Sequence, residues 1–262
     1  MAVKQGETST LTALTLFTGL AIVTFGLFLK DANILFYAVP IIFALIVAMS
    51  RGNSSIDEGL RSMGITGTNI REAIPLGILS GVIVFFVGSF MIELSPKTAS
   101  IFVPTFAIAG LATASAVIPS SVFMASNILM QWSVVAPAEE IGWRFLAPYI
   151  AYRIVQSAPI AFIFGIITWV FIHIPTYLLQ EAPMTMYVVL VLLGAVSVGL
   201  IWITKGIIAS WIAHSTFNTL VLTLSGGLDT YTMYLLIAVA IGLGILYYTQ
   251  YSARKATTGY TL

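Results

Sequence analysis

The sequence predicts an all-α, polytopic transmembrane bundle of about eight spans, and three observations carry that prediction. Of 262 residues, 59% are hydrophobic and only 8% charged, whereas soluble domains carry roughly a quarter charged residues. The mean hydropathy is +1.01. The apolar residues also gather into runs long enough to cross lipid, since a helix rising about 1.5 Å per residue needs about 20 of them to span the hydrocarbon layer.

In chain order the candidate spans are Leu11–Leu29, Ile34–Met49, Ile74–Ile92, Ile101–Ile118, Ser120–Ala136, Ala158–Leu179, Met184–Ile203, Gly206–Leu224 and Thr230–Tyr251. Leu11–Leu29 is too long for the apolar core of a usual signal peptide and lacks a convincing small-residue cleavage site after it, so it reads as the first span. Lys and Arg in short loops mark the cytoplasmic side. The loop Ser50–Ala73 carries Arg51, Arg61 and Arg71, diluted by Asp57, Glu58 and Glu72, and the C-terminal tail carries Arg254 and Lys255. Both termini are then cytoplasmic, which requires an even number of spans. Eight fits better than nine if Ile101–Ile118, broken by Pro104 and followed by Pro119, is partly re-entrant or runs on into the next helix. Gly52, Gly59, Gly64 and Gly67 mark turns in the long loop. With short tails and no internal repeat, residues 1–262 read as a single integral-membrane domain.

Composition also excludes function classes. A net charge of +1 and no clustered Lys/Arg tract leave no surface for nucleic acid. Zero cysteines exclude disulfides, thiolate metal ligands and a cysteine nucleophile. Partners are the lipid bilayer and whatever the intramembrane polar residues handle.

Those residues are few and concentrated. Charged groups in mid-membrane are expensive unless paired or hydrated, so they tend to line cavities that serve function. The two histidines, His173 and His214, both fall inside expected spans, and Glu139, Glu140 and Arg144 lie in or beside another apolar stretch, "APAEEIGWRFLAP". Glu140 and Arg144 are four apart and share a helix face, while Glu139 is turned about 100° away. Arg144 can therefore hold Glu140 as a positioning residue and leave Glu139 free as the general base. Pro137 has no amide hydrogen and clashes with the Ser133 carbonyl, so a kink is expected where the glutamates begin. In "HSTFN", His214 and Asn218 are four apart on one face and both can donate to an oxyanion. In "WVFIHIP", Trp169 and His173 share the same spacing, and Pro175 predicts a distorted helix just beyond.

Glu-Glu-x-x-x-Arg at Glu139–Arg144, aromatic-x-x-x-His at Trp169–His173 and His-x-x-x-Asn at His214–Asn218, in that order on successive helices, resemble the CPBP intramembrane proteases. That family, also called Abi, includes the CAAX prenyl endopeptidases and bacteriocin-processing or immunity proteins. The resemblance covers a catalytic core from about residue 120 to 224 and departs at Trp169, where phenylalanine is usual. It implies an intramembrane endopeptidase in which Glu139 is the base, His173 helps to activate water, and His214 with Asn218 stabilises the oxyanion. Glu140 and Arg144 hold the site or orient substrate.

The resemblance leaves the cofactor open between none and a divalent metal such as zinc. Two histidines and a glutamate are a known catalytic zinc set, and the family has been labelled metalloprotease. His-Glu-x-x-His is absent, however, and His214 with Asn218 suits an oxyanion hole better than zinc ligation. The implied substrate is a membrane-associated peptide or lipidated peptide, prenylated or not. Each motif also has a structural alternative: a buried ion pair for Glu140 with Arg144, or interhelical hydrogen bonding for the histidines and Asn218. The rival functions are a proton-coupled transporter, disfavoured because the polar groups sit in the second half with no inverted repeat, and a catalytically silent scaffold or immunity protein.

Overall fold

The computed structural model describes residues 70–92, 124–125, 127–129, 131–224 and 229–258, and every regular element among them is helical. The helices are α1 (Ile70–Met91), a broken helix α2 (residues 131–155), α3 (Ala158–Leu179), α4 (Met184–Thr204), α5 (Ile208–Thr223) and α6 (Thr230–Thr258). The expected spans Leu11–Leu29, Ile34–Met49 and Ile101–Ile118, the loop arginines Arg51 and Arg61, and the start of Ser120–Ala136 lie outside the described residues.

Four described helices are long and apolar enough to cross a membrane: Ile70–Met91, Ala158–Leu179, Met184–Thr204 and Thr230–Ser252. They coincide with four of the expected spans to within a few residues. Their ends are set locally. After α3 the chain takes a left-handed turn at Glu181 (φ 52°), with the Ala182 amide donating to the Tyr177 carbonyl at 2.8 Å, and Pro183 stops any continuation. Lys205 (φ 56°) ends α4 in the same way. Asp229 caps α6 by accepting from the Thr232 amide and hydroxyl, each at 2.8 Å. That amide bond holds the exposed Asp229 carboxyl below its usual pKa.

The fifth apolar stretch, Gly206–Leu224, forms only the 16-residue α5. At about 1.5 Å per residue that is about 24 Å, short of a hydrocarbon layer of about 30 Å. It lies in the interior of the bundle: Ala213, His214, Ser215, Thr216, Phe217 and Asn218 are all buried. It packs chiefly on α1, with α4 and the start of α2 on other sides. The main apolar core joins Val82 and Phe85 of α1, Trp143 of α2, Trp169 and Tyr177 of α3, Met186 to Leu193 of α4, and Phe217 and Val221 of α5.

Small residues set how closely α5 approaches α1. A methyl group at Gly81 would stand 2.5 Å from the Ala213 carbonyl oxygen and 2.8 Å from Thr216 Cβ, both on the α5 backbone or branch point. Neither neighbour can swing aside. Gly81→Ala is therefore expected to lower unfolding stability by about 1–3 kcal/mol, the usual cost of overpacking, as thermal unfolding in detergent will measure. An unchanged midpoint would refute this tight contact between α1 and α5.

Candidate active site

The site is built where α2 departs from α-helical geometry. Residues Gln131–Val135 and Glu140–Leu146 are π-helical, separated by one α-helical turn at Ala136–Glu139. The kink expected at Pro137 thus takes the form of a widened helix, a feature that recurs at functional sites. In a π register the Trp132 carbonyl would accept from the nitrogen of residue 137, and proline has no hydrogen there. The Trp211 indole takes its place, donating to Trp132 O at 2.8 Å. The Trp132 indole in turn donates to Thr219 Oγ1 at 2.9 Å. Two tryptophans thereby clasp the opening turn of α2 to α5.

The adjacent glutamates face different partners. Glu140 and Arg144, both fully buried, form an ion pair through Oε1 and Nη1. The rest of the Glu140 carboxylate is also occupied: Ser210 donates to Oε2, and His214 Nδ1 lies 2.9 Å from Oε1. Arg144 Nη1 donates further to Ser197 Oγ at 3.0 Å, and the guanidinium carbon sits 3.6 Å from the Trp169 ring centroid in a cation–π contact. Glu139 is buried as well, yet its carboxylate makes no hydrogen bond among the described residues. Its nearest ionisable neighbour is His214, with Oε2 3.6 Å from Nε2.

The two imidazoles flank Trp169. His173 packs against its indole at 4.0 Å between centroids with the rings tilted by 58°, and His214 meets the indole edge at 5.4 Å. His173 Nδ1 lies 2.9 Å from the Trp169 carbonyl, which can only accept, so this nitrogen carries the proton and Nε2 is left with its lone pair. By the same rule Nδ1 of His214 carries the proton shared with Glu140, and its Nε2 faces Glu139. The structure thus sets His214, rather than His173, beside the free glutamate. Asn218 lies one turn beyond His214 and donates through Nδ2 to Gln131 Oε1 at 2.9 Å.

Several members of the cluster have no motif of their own. Gln131, Ser197 and Ser210 are fully buried and bond to Asn218, Arg144 and Glu140 respectively. Ser210 had a signal, because Ser210, His214 and Asn218 repeat every four residues along one face. Ser197 and Gln131 had none beyond being polar within apolar runs. Within this cluster, Gln131 Nε2, Trp169 Nε1 and the Nε and Nη2 of Arg144 are buried donors without an acceptor among the described residues.

The donor set does not suit a resident divalent metal. No group of three or more His, Cys, Asp or Glu side chains among the described residues is arranged to hold one. The Arg144 guanidinium, 3.3 Å from His214 Nδ1, opposes a second cation there. No chemical step is therefore routed through a metal.

Residues 121–220 match the family described as Rce1-like, type II CAAX prenyl endopeptidase. This segment is thus similar to the CAAX protease (CPBP) family. All three motifs, and Gln131, Ser197 and Ser210 with them, lie inside the matched residues. The match supports a protease at family level, in a chain with four described helices long and apolar enough to cross a membrane. No curated protein and no solved structure matches the chain significantly.

Proposed function

We propose that this chain is an intramembrane endopeptidase hydrolysing a peptide bond in a membrane-associated, prenylated CAAX-type substrate with a Glu/His-activated water. The observation that carries the proposal is the 3.6 Å gap between Glu139 Oε2 and His214 Nε2. That gap is too long for a good direct hydrogen bond, but one water can sit about 2.8 Å from both atoms. Glu139 accepts a proton from the water, with the His173 Nε2 lone pair helping to orient it. The water oxygen attacks the peptide carbonyl carbon, and the oxyanion is stabilised by Asn218 Nδ2–H and by His214 when Nε2 carries a proton. Collapse breaks the C–N bond, and the proton held by Glu139 passes to the leaving amine. Glu140, saturated by Arg144, Ser210 and His214, positions rather than reacts. The wider reading is a single domain of about eight spans with both termini cytoplasmic.

The test is cleavage of an internally quenched, prenylated CAAX peptide by the purified protein in liposomes, with Glu139→Ala and His173→Ala beside wild type. Cleavage lost in both variants is the expected result. Substantial cleavage by either would sink the mechanism, and solute flux without peptide cleavage would favour a transporter.

Packing around Trp169 supplies a second check. A methyl at Gly194 would stand 2.9 Å from Trp169 Cδ1, so Gly194→Ala must push on the indole that touches Arg144, His173 and His214. About a tenfold fall in kcat is expected, since misplacing catalytic groups by a fraction of an ångström is costly. The smaller ring of Trp169→Phe should relieve the clash and recover part of the loss. If Gly194→Ala retains full kcat, Trp169 does not organise the site.

A further inference from the structure

We propose that Gln131 is a positioning residue of this hydrolytic centre, setting the orientation of the Asn218 carboxamide so that an N–H rather than its oxygen faces the reacting carbonyl. The inference rests on the proposed function above and names a residue outside the three motifs.

An asparagine amide is nearly symmetric in shape and opposite in chemistry at its two ends. Flipped by 180°, Asn218 would present Oδ1, an acceptor, to a developing oxyanion and repel it. Position along α5 does not decide between the two orientations. The Gln131 contact couples the choice to a second amide: Gln131 Oε1, which can only accept, lies 2.9 Å from Asn218 Nδ2, so Asn218 presents its nitrogen for as long as Gln131 presents its oxygen. One Nδ2 hydrogen is spent on Gln131, which leaves the other for an incoming acceptor. The two amides are coupled, so that turning Asn218 would require turning Gln131 as well.

The surrounding fold holds Gln131 in place for this purpose. It is fully buried at the first position of the π-helical turn, and the next residue, Trp132, is hydrogen-bonded to α5 through both its carbonyl and its indole. The turn is thus fixed to the helix that carries Asn218. Gln131 Nε2 remains a buried donor without an acceptor. A carboxamide retained only as interhelical glue would gain by pairing that group, since an unmet buried donor is destabilising.

The experiment measures kcat and KM for the internally quenched prenylated peptide in liposomes with Gln131→Met, Asn218→Ala and the double variant. Gln131→Met should lower kcat about tenfold with KM within twofold of wild type. In the Asn218→Ala background the same change should lower kcat no further, because Gln131 acts through Asn218. Should Gln131→Met fail to fold, Gln131→Asn keeps a buried amide but withdraws it by one methylene. It should still lower kcat at least fivefold. Wild-type kcat in the folded Gln131 variants, or losses that multiply in the double variant, would overturn the inference. If Asn218→Ala itself leaves kcat unchanged, the oxyanion reading of the site fails instead.

Discussion

Glu139→Gln is expected to lower kcat at least about a thousandfold while leaving the protein folded. General-base catalysis contributes about 10²–10⁴ in rate, and here the base must also return its proton to the leaving amine. The glutamine is isosteric and cannot take a proton from water. Little stability should be lost, because the Glu139 carboxylate makes no hydrogen bond among the described residues and lies 3.6 Å from its nearest ionisable neighbour, His214. The discriminating measurement is kcat beside the thermal midpoint of the same preparation. Retained turnover would remove Glu139 from the mechanism, and a collapsed midpoint would make it a structural residue.

Its neighbour should behave in the opposite way. Glu140→Leu is expected to cost about 3–5 kcal/mol, because it strands the guanidinium of Arg144 in the interior without its counter-charge. Both residues are 0% exposed, so water cannot take over that role. Ser210 and His214 Nδ1 lose their acceptor in the same stroke. The paired change Glu140→Leu with Arg144→Met should recover much of that stability, since apolar replacement of a buried pair is often neutral. Chemical unfolding in detergent measures both. Equal midpoints for wild type and Glu140→Leu would show that the pair is not what holds this part of the site.

The contrast between these neighbours was legible in the sequence. Spacing of four puts Glu140 with Arg144 and turns Glu139 away, and the contact geometry follows that pattern. Hydropathy likewise located α1, α3, α4 and α6, because lipid imposes a length on any helix that crosses it. The interior character of α5 was harder to see: its apolar content suggests a span and says nothing of the polar face it buries. Which imidazole stands beside Glu139 was not legible at all. His173 and His214 both lie on helices of the right kind, and the choice depends on how α3 and α5 rotate against α2. Gln131 and Ser197 were invisible for the same reason, being joined to Asn218 and Arg144 across 87 and 53 residues. Helical periodicity reports neighbours within one helix and says nothing of neighbours between helices.

The departure at Trp169 also changes meaning in three dimensions. As sequence it is an aromatic exchange within a motif. In the fold it underlies Arg144, packs at a tilt against His173, meets His214 edge-on and fills the space left by Gly194.

In the proposed mechanism water attacks the peptide directly, with no covalent intermediate on the protein. Intact-protein mass spectrometry of a rapidly quenched reaction in ¹⁸O-water, using the prenylated peptide in liposomes, tests it most directly. The expected result is an unmodified chain throughout turnover and one ¹⁸O in the new carboxyl group of the product. A chain whose mass rises by that of a substrate fragment, or a peptide that stays whole, would contradict it.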